Sequence, residues 1–459
     1  MTADTDSVVR SWEHPIETGE MPESGTEFDA IVVGGGPGGA AAAGYLAKSG
    51  ARVLMIEKEV WPRDKVCGDA VGGKSLSHVS ELGVKADIEA TPHFRVTGIV
   101  FSSPKGNTVR VPLPEEDVER MEAGYALPRA QFDSLLFDRC QALVRGAGGS
   151  IIQGGDVRTV LFDDGAGGED PGEGSGDARH AAGIVVQIGG RKGEERTFYS
   201  RELVGAAGYR CPVARSVVES SYSEVMVDRD HYCGGYREYW RNVKGCEASV
   251  GDIEIHFVDS VIPGYFWLFP VSENVVNVGI GMVMGLLDKQ KKKLKALQAD
   301  VIANHPMFKE RFAEAELVPG SAKGWQLPFG SPRKKSSNQP RRSSMNGIRL
   351  VGDAASLIDP FSGEGVGNAL VTGEMAARHI MEKRPFLEYQ DEVWKVLGPE
   401  LINSYRMQKL SRKSWLLNWF VGKAEKKPVL QEMMTEMIAS KEAQENLHSP
   451  WFMMKTLLF

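Results

Sequence analysis

Cys67 and Asp69 offer two reactive side chains close together, in the stretch KVCGDAVGG at residues 65–73. A thiol can donate a proton or, once ionised, act as a nucleophile, and a carboxyl group can act as a general acid. A cysteine beside small residues can also be a buried filler without any chemical role. The surrounding sequence has to decide between a redox thiol, a core residue and part of a cofactor site.

A glycine-rich turn precedes this stretch. The segment AIVVGGGPGG places Gly34, Gly36 and Gly39 in the spacing GxGxxG directly after a strand-like run. The first glycine permits a tight turn, the second lets the backbone approach a pyrophosphate, and the third lets the following helix pack on the strand. Glu57 ends the next strand-like run, where an acid accepts hydrogen bonds from a ribose hydroxyl. The pattern predicts a dinucleotide site, with a structural glycine turn as the alternative.

A second segment distinguishes between NAD and FAD, which share the GxGxxG pattern. GIRLVGDAASLIDPFSGEGVGNAL, residues 347–370, reads as a strand, then Gly352 and Asp353, then a glycine-rich turn that opens a helix. It resembles the GD segment of flavoproteins of the aromatic-hydroxylase type, and it follows the N-terminal fingerprint in the same order. The resemblance implies FAD, with Asp353 on the ribityl chain and the following helix start facing the pyrimidine end of the flavin. An ordinary strand-turn-helix is the alternative.

Three aromatic residues alternate along PGYFWLFPVSENVVNVGIG, residues 263–281. On an extended strand Tyr265, Trp267 and Phe269 share one face. Such a stripe is often only core packing. It also makes a wide apolar wall that suits a polyprenyl chain, and the ring faces attract positive charge.

This stretch resembles the PxxYxWxFP signature of the geranylgeranyl reductase family, archaeal digeranylgeranylglycerophospholipid reductases among them. The YxWxFP part is complete, and one residue fewer separates Pro263 from Tyr265. The resemblance covers residues 28–382. In archaeal members a Cys-Gly-(Glu or Asp) segment lies beside the flavin, which implies that Cys67 is a site residue.

Flavin contacts follow from the same comparison of motifs. Together with the fingerprint glycines Gly34, Gly36 and Gly39, the resemblance assigns them to Ala40, Glu57, Cys67, Gly68, Ala70, Arg129, Val157, Asp353, Gly365 and Val366. The substrate wall is assigned to Tyr265, Trp267 and Phe269. One position departs from the family: LVGAAGYRC carries Ala207 where many members have aspartate. Two alternatives follow: the aspartate is dispensable, or the flavin support or the way of receiving electrons differs in this chain.

The resemblance implies an FAD-dependent reductase that hydrogenates isolated double bonds of geranylgeranyl chains in prenyl lipids. Archaeal membrane ether lipids are the first candidate substrates. Reduced flavin supplies the hydride, and NADPH or a ferredoxin is the expected electron donor. Cys67 is the first candidate for the catalytic proton donor, with Asp69 or a bound water as alternatives. No metal is expected.

Other functions remain open at this point. An FAD-dependent aromatic or polyprenyl-quinone hydroxylase shares both flavin motifs but needs no polyprenyl wall. A flavin-dependent halogenase is disfavoured, because WLFP carries one tryptophan where the halogenase signature WxWxxP has two. Outside enzymes, a flavin-bearing prenyl-lipid carrier or a redox sensor is the alternative, and turnover of the alkene distinguishes them.

Composition restricts the class of partner and the compartment that the sequence predicts. The 459 residues are 42% hydrophobic and carry a formal net charge of −7, which gives no reason to expect a nucleic-acid partner. Five scattered cysteines without a CxxC pair, and no apolar run of about 18 residues, predict a cytoplasmic protein that does not span a membrane. LSRKSWLLNWFVGKAEKK, residues 410–427, has the composition of an interfacial helix and predicts peripheral membrane contact, with a packed terminal helix as the alternative.

The predicted fold is α/β, with a Rossmann-like FAD-binding domain of the aromatic-hydroxylase type, a β-sheet substrate domain and a C-terminal helical region. The expected boundaries are a flexible acidic leader at 1–27, an FAD-binding domain at 28–215 with a disordered insertion at 163–183, a β-rich substrate domain at 216–330, a return to the FAD-binding domain at 331–382, and a helical region at 383–459.

Overall fold

Residues 19–120, 122–163, 179–221, 225–333, 341–428 and 430–431 are described by a computed structural model of the chain. The strands are, in chain order, Ala30–Val33 (β1), Val53–Glu57 (β2), Ala70–Val71 (β3), Phe94–Ser102 (β4), Thr108–Pro112 (β5), Tyr125–Ala126 (β6), Ser150–Gln153 (β7), Gly155–Asp163 (β8), His180–Ile188 (β9), Glu194–Tyr199 (β10), Leu203–Gly205 (β11), Tyr232–Arg241 (β12), Val250–His256 (β13), Tyr265–Ser272 (β14), Val275–Val283 (β15), Glu316–Leu317 (β16), Lys323–Pro328 (β17), Ser344–Met345 (β18) and Ile348–Leu350 (β19).

The α-helices are Pro37–Lys48 (α1), Lys74–Glu81 (α2), Lys85–Glu89 (α3), Glu115–Glu119 (α4), Arg129–Gly146 (α5), Pro212–Arg215 (α6), Met284–Gln290 (α7), Leu294–Asn304 (α8), Val366–Met381 (α9), Phe386–Leu410 (α10) and Ser414–Ala424 (α11). Short 3-10 turns cover Gly208–Arg210, Arg229–His231 and Gly352–Ala355, and a π-helix covers Ser216–Ser221.

The first sheet has the order β18-β19-β11-β1-β2-β7. The pairs of β1 with β2 and β11, of β2 with β7, and of β11 with β19 are parallel. Every residue of β1 and β2 is buried, as expected for parallel strands that are covered on both faces. Helices α1 and α9 pack against each other, so residues from both ends of the chain meet at this sheet.

The second sheet has ten strands and follows the order β16-β12-β15-β14-β13-β4-β6-β3, with β17 on β12 and β5 on β4. Four of these strands, β3 to β6, come from the range predicted as FAD-binding domain, so this range contributes strands to both principal sheets. The reason is packing: Phe94 and Val96 on β4 are buried in one cluster with Trp267 and Phe269 on β14. The apolar side of β4 has its partners in the second sheet.

A small third sheet, β10-β9-β8, includes residues at the edges of the predicted leader and of the predicted insertion. Glu27 bridges to Tyr199, and the backbone N–H of Gly25 donates to the carbonyl of Thr197 at 2.7 Å. Residues 25–27 are therefore ordered along β10, while residues 1–18 of the predicted leader lie outside the described residues. The predicted insertion 163–183 is too wide, since Asp163 pairs with His180 across β8 and β9. Its residues 164–178 lie outside the described residues.

The described part of the C-terminal region is helical. Helix α10 follows α9, and α11 packs on β5 through a small cluster that contains Val109, Val421 and Ala424. Within the described ranges, no helix is both long and apolar enough to cross a bilayer. The mixed α/β fold with two principal sheets and C-terminal helices confirms the predicted fold class.

Candidate active site

The GxGxxG turn requires glycine for steric reasons. Gly34 has a φ of +109°, and a Cβ there would lie 2.6 Å from the backbone of Ala206. A Cβ on Gly39 would lie 1.7 Å from the carbonyl oxygen of Gly34. Helix α1 starts at Pro37, and among the described residues no side chain caps its N-terminus. Its first N–H groups are therefore available to an anion such as a pyrophosphate.

Glu57 lies at the end of β2, beside this turn. Its carboxylate accepts a hydrogen bond from the backbone N–H of Gly35 at 2.9 Å and another from that of Glu59 at 3.0 Å. A carboxylate has about four acceptor positions, so both oxygens retain capacity for hydroxyl donors. The geometry thus fits the ribose contact that the sequence predicts.

Arg63 is a cation at the turn that sequence reasoning missed. One of its guanidinium nitrogens, Nη2, lies 3.1 Å from the position a Cβ on Gly36 would take. The guanidinium lies over the Trp61 ring at 4.3 Å, and its Nη1 is 3.2 Å from an Asp133 carboxylate oxygen. A guanidinium fixed in this position beside the glycine turn would favour binding of a phosphate group. The only sequence signal was WPRDK, shortly after Glu57.

The late GD segment meets the start of α9. Gly365 is the N-cap of α9, which begins at Val366, and a Cβ on Gly365 would lie 3.7 Å from Asp353 Oδ1. Asp353 accepts a hydrogen bond from Lys65 Nζ at 2.8 Å. The structure therefore brings Asp353 and the α9 N-terminus together, and Lys65 connects them to the segment that carries Cys67.

Three remaining predicted positions have different surroundings. Ala40 is fully buried in α1. Ala70 lies on β3 opposite Ala126. Val157 lies on β8, and its side chain is buried in the same apolar cluster as Ile56.

Cys67 is half-buried and lies beside Arg129. The Arg129 guanidinium donates to both oxygens of Asp133, at 2.6 Å and 2.7 Å. Burial alone would lower the pKa of Arg129, but Asp133 and Cys67 raise it well above its usual value. A permanent positive charge therefore lies next to the thiol.

Asp69 is fully enclosed and has three hydrogen-bond donors. The hydroxyl of Tyr239 donates to Oδ2 at 2.5 Å, the amide of Asn277 donates to Oδ2 at 2.7 Å, and the backbone N–H of Arg129 donates to Oδ1 at 3.2 Å. Burial raises the pKa of Asp69 to about 6, against the lowering influence of Arg237, Tyr239 and Asn277. Its backbone φ is +69°, an uncommon conformation for a residue with a side chain.

Asn277 joins the cysteine segment to the aromatic strand. Its amide nitrogen also donates to the carbonyl of Cys67 at 2.7 Å, and its oxygen accepts from Trp267 Nε1 at 2.8 Å. Sequence reasoning missed this residue. The available signal was an amide within the apolar run VVNVGIG, because a buried amide requires partners.

The three aromatic residues of β14 lie on one face. The ring centroids of Tyr265 and Trp267 are 5.9 Å apart, and those of Trp267 and Phe269 are 6.4 Å apart. A Cβ on Gly68 would lie 2.7 Å from the Phe269 ring, so glycine allows the cysteine segment to touch the aromatic wall. The structure thus places Cys67, Gly68 and the wall in one continuous site.

Family models match two parts of the chain. A model described as FAD binding domain matches residues 27–164, and one described as geranylgeranyl reductase catalytic domain matches residues 232–318. The second match contains β12 to β15, and therefore the aromatic wall and Asn277. These matches support FAD as the cofactor and confirm the resemblance drawn from the motifs.

Named relatives and solved structures agree with these matches. A digeranylgeranylglycerophospholipid reductase from Methanococcoides burtonii is 29% identical over 82% of each chain, and a menaquinone reductase from Mycolicibacterium smegmatis is 27% identical over 82% of this chain and 81% of its own. A geranylgeranyl bacteriochlorophyll reductase-like protein from Thermoplasma acidophilum covers 92% of this chain and 98% of its own, with a TM-score of 0.68 and 22% identity. A myxobacterial chondrochloren halogenase has a TM-score of 0.65 and 22% identity, covering 94% of this chain and 92% of its own. The two solved structures share the fold.

Proposed function

The chain is an FAD-dependent flavoprotein related to the geranylgeranyl reductases, and we propose that it hydrogenates isolated double bonds of geranylgeranyl chains in a membrane ether lipid. The observation that carries the proposal is the contact between the aromatic wall and the cysteine segment, where Phe269 meets Gly68 and Asn277 bonds to both. A hydroxylase needs no such wall, so this contact favours reduction of a prenyl chain over hydroxylation.

FAD would bind to the residues that the motifs predict as its contacts. The GxGxxG turn and the α1 N-terminus bind the pyrophosphate with Arg63, and Glu57 binds the ribose. Asp353 and the α9 N-terminus bind the ribityl chain and the flavin, with Cys67, Arg129 and the other predicted positions around them. Bound FAD, once reduced, supplies the hydride.

The chain's own residues supply the remaining requirements. An unactivated alkene offers little polarity to act on, so the site must exclude water and align the double bond. Trp267 and Phe269, 7% and 8% exposed, provide the apolar surface and ring faces beside developing positive charge. The Cys67 thiol donates the proton, and the Arg129 guanidinium stabilises the thiolate that remains. Asp69 positions the segment, because its oxygens are already engaged by Tyr239, Asn277 and Arg129.

The test is mass spectrometry of a geranylgeranyl ether lipid incubated with FAD-loaded protein and dithionite. Each saturated bond adds a hydride and a proton, a gain of about 2 mass units. Dithionite replaces the proposed donor, NADPH or a ferredoxin. Lipid that is bound but unchanged would indicate a carrier, and incorporation of oxygen under aerobic conditions would indicate a hydroxylase.

Menaquinone should be tested as a second substrate in the same assay. The named menaquinone reductase matches this chain nearly as well as the named lipid reductase does. We therefore include menaquinone as a second candidate substrate, and the relative rates decide between a lipid and a quinone. The substrate class also leads us to propose that the protein works in the cytoplasm, at the membrane face.

A further inference from the structure

A surface at the C-terminal end of the described chain exposes tryptophan and lysine side chains together. We define the α11 surface as Lys105, Trp415, Trp419, Lys423, Lys426 and Lys427, which line one shallow depression. Trp415 is 65% exposed, although tryptophan is normally largely buried. Lys423 Nζ lies 4.9 Å from the centre of the Trp419 ring. Trp419 and Lys423 are half-buried, and indole rings with ammonium groups beside them are typical of membrane interfaces.

The charge of this surface is opposite to that of the whole protein. The chain has a net charge of −7, but the α11 surface carries four lysines. The acid nearest in sequence, Glu425, is engaged by Asn107 Nδ2 at 2.8 Å and by the backbone N–H of Thr108 at 3.1 Å. The surface is therefore complementary to anionic phosphate groups.

The α11 surface adjoins the aromatic wall. Ser414, the first residue of α11, donates to Asp259 Oδ1 at 2.6 Å, and Ser411 donates to the carbonyl of Pro263 at 3.4 Å. The segment from Asp259 to Pro263 runs directly into Tyr265, the first ring of the wall. Met407 and Leu410, in the last turn of α10, are also exposed, 40% and 41%. Apolar side chains thus lie near the basic surface at this end of the site.

We propose that the α11 surface docks the protein on an anionic phospholipid bilayer, with the tryptophans in the headgroup region and the lysines on phosphates. The proposal rests on the proposed function, since it places the aromatic wall next to the membrane that holds the prenyl chains. Indoles beside lysines, next to the segment that enters the aromatic wall, favour a lipid interface over an acidic protein partner, because the prenyl chains of the proposed substrate lie in a membrane.

Vesicle sedimentation tests the docking. The FAD-loaded protein is mixed with vesicles of phosphatidylcholine alone, or with vesicles in which about one third of the lipid is phosphatidylglycerol, which makes their surface anionic. We expect binding to the anionic vesicles that weakens as salt rises. Trp415→Ala and the double variant Lys426→Glu/Lys427→Glu should each reduce partitioning, the latter about tenfold or more.

Matched controls lie elsewhere on the protein. Trp325→Ala removes a tryptophan that is 39% exposed, and Lys289→Glu reverses a lysine whose side chain is 71% exposed. Both controls should bind vesicles like the wild type, and flavin content confirms that all variants are folded. Absence of wild-type binding, binding that is independent of phosphatidylglycerol, or equal losses in the control variants would each overturn the proposal.

A second readout separates this proposal from the proposed function. With lipid dispersed in detergent, the α11 variants should reduce the alkene at the wild-type rate, whereas with lipid in anionic vesicles their rate should fall with their binding. A wild-type protein that binds vesicles but reduces no lipid in either form refutes the function alone. A protein that reduces dispersed lipid but does not bind vesicles refutes the docking alone.

Discussion

Arg129 and Asn277 hold the cysteine segment at two different points. The guanidinium of Arg129 lies beside the Cys67 thiol, while the amide of Asn277 bonds to the Cys67 carbonyl. The side chain of Asp69 is enclosed and the side chain of Cys67 is partly accessible. At the scale of single residues, this difference in accessibility supports the proposal that Cys67 donates the proton and that Asp69 positions the segment.

Cys67→Ser and Cys67→Ala should both retain FAD and lose alkene reduction with dithionite as reductant. Serine preserves the volume but is a far weaker acid, and alanine removes the donor, so a loss of about 10²–10⁴-fold is expected for a general acid. Lipid mass spectrometry and the flavin spectrum measure the two effects. Full activity of the alanine variant would pass the proton-donor role to Asp69 or a bound water, and loss only with the natural donor would assign Cys67 to electron entry.

Asp69 should make the protein less stable as the pH rises from about 4 to 6. Its pKa is raised to about 6 in the fold from an ordinary value of 3.8, so the folded state binds the proton more tightly than the unfolded state. This stabilising contribution is fully present below pH 4 and is lost as the pH passes 6. Urea unfolding across this range should show the fall, and Asp69→Asn should flatten it.

Asp391→Asn, a substitution at an exposed aspartate, is measured beside Asp69→Asn as the control for the substitution itself. An unchanged slope in the Asp69→Asn variant would show that Asp69 is ionised normally in the fold.

At the scale of elements, β14 and β15 form the wall and its attachment. Trp267 lies over Gly279 of β15, where a Cβ would lie 2.0 Å from the ring, and its indole N–H donates to Asn277 on the same strand. The hairpin thereby fixes the ring orientation, and Asn277 transmits this position to the cysteine segment. The alternation of side chains along β14 explains why three rings share one face.

Trp267→Ala should lower the rate of alkene hydrogenation at least about tenfold while flavin content stays near that of the wild type, because we propose that the ring contacts the substrate and not the flavin. Truncation of a buried aromatic side chain also costs about 3–5 kcal/mol of stability, so the folded fraction must be measured first. Trp325→Ala is the matched control on β17. A folded, FAD-loaded Trp267→Ala protein with a normal rate would contradict the wall assignment.

At the scale of the whole molecule, the candidate FAD site joins segments that are far apart in the chain. Residues 34–57 supply the turn and Glu57, and residues 353–366 return to the same sheet to supply Asp353 and the α9 N-terminus. The second sheet completes the site through β14. A ligand held by all three parts should stabilise them together.

FAD at about 100 times its Kd should raise the free energy of unfolding by about 2.7 kcal/mol, provided that the unfolded chain does not bind it. Thermal unfolding with and without FAD measures the shift, and the loaded protein should be yellow. Gly39→Ala should abolish both effects, since its Cβ would lie 1.7 Å from the Gly34 carbonyl oxygen. Stabilisation by NAD alone, without flavin absorption, would contradict the cofactor assignment.

The sequence by itself determined the local features of the protein. The glycine spacing, Gly352-Asp353 and the YxWxFP stretch each depend on neighbouring residues, because turn sterics and strand alternation are local properties. Strand alternation was sufficient for the three aromatic residues on one face, and the resemblance of these motifs to flavoproteins of the aromatic-hydroxylase type was sufficient for the fold class and for FAD.

Only the tertiary structure decided which distant residues meet. Asn277, Arg63 and Lys65 carry no motif, yet they connect the cysteine segment, the glycine turn and Asp353. The place of β3 to β6 in the second sheet, and the enclosure of Asp69, also depend on long-range packing. The physical reason is that strand pairing and burial join residues separated by hundreds of positions, and no local period encodes their partners.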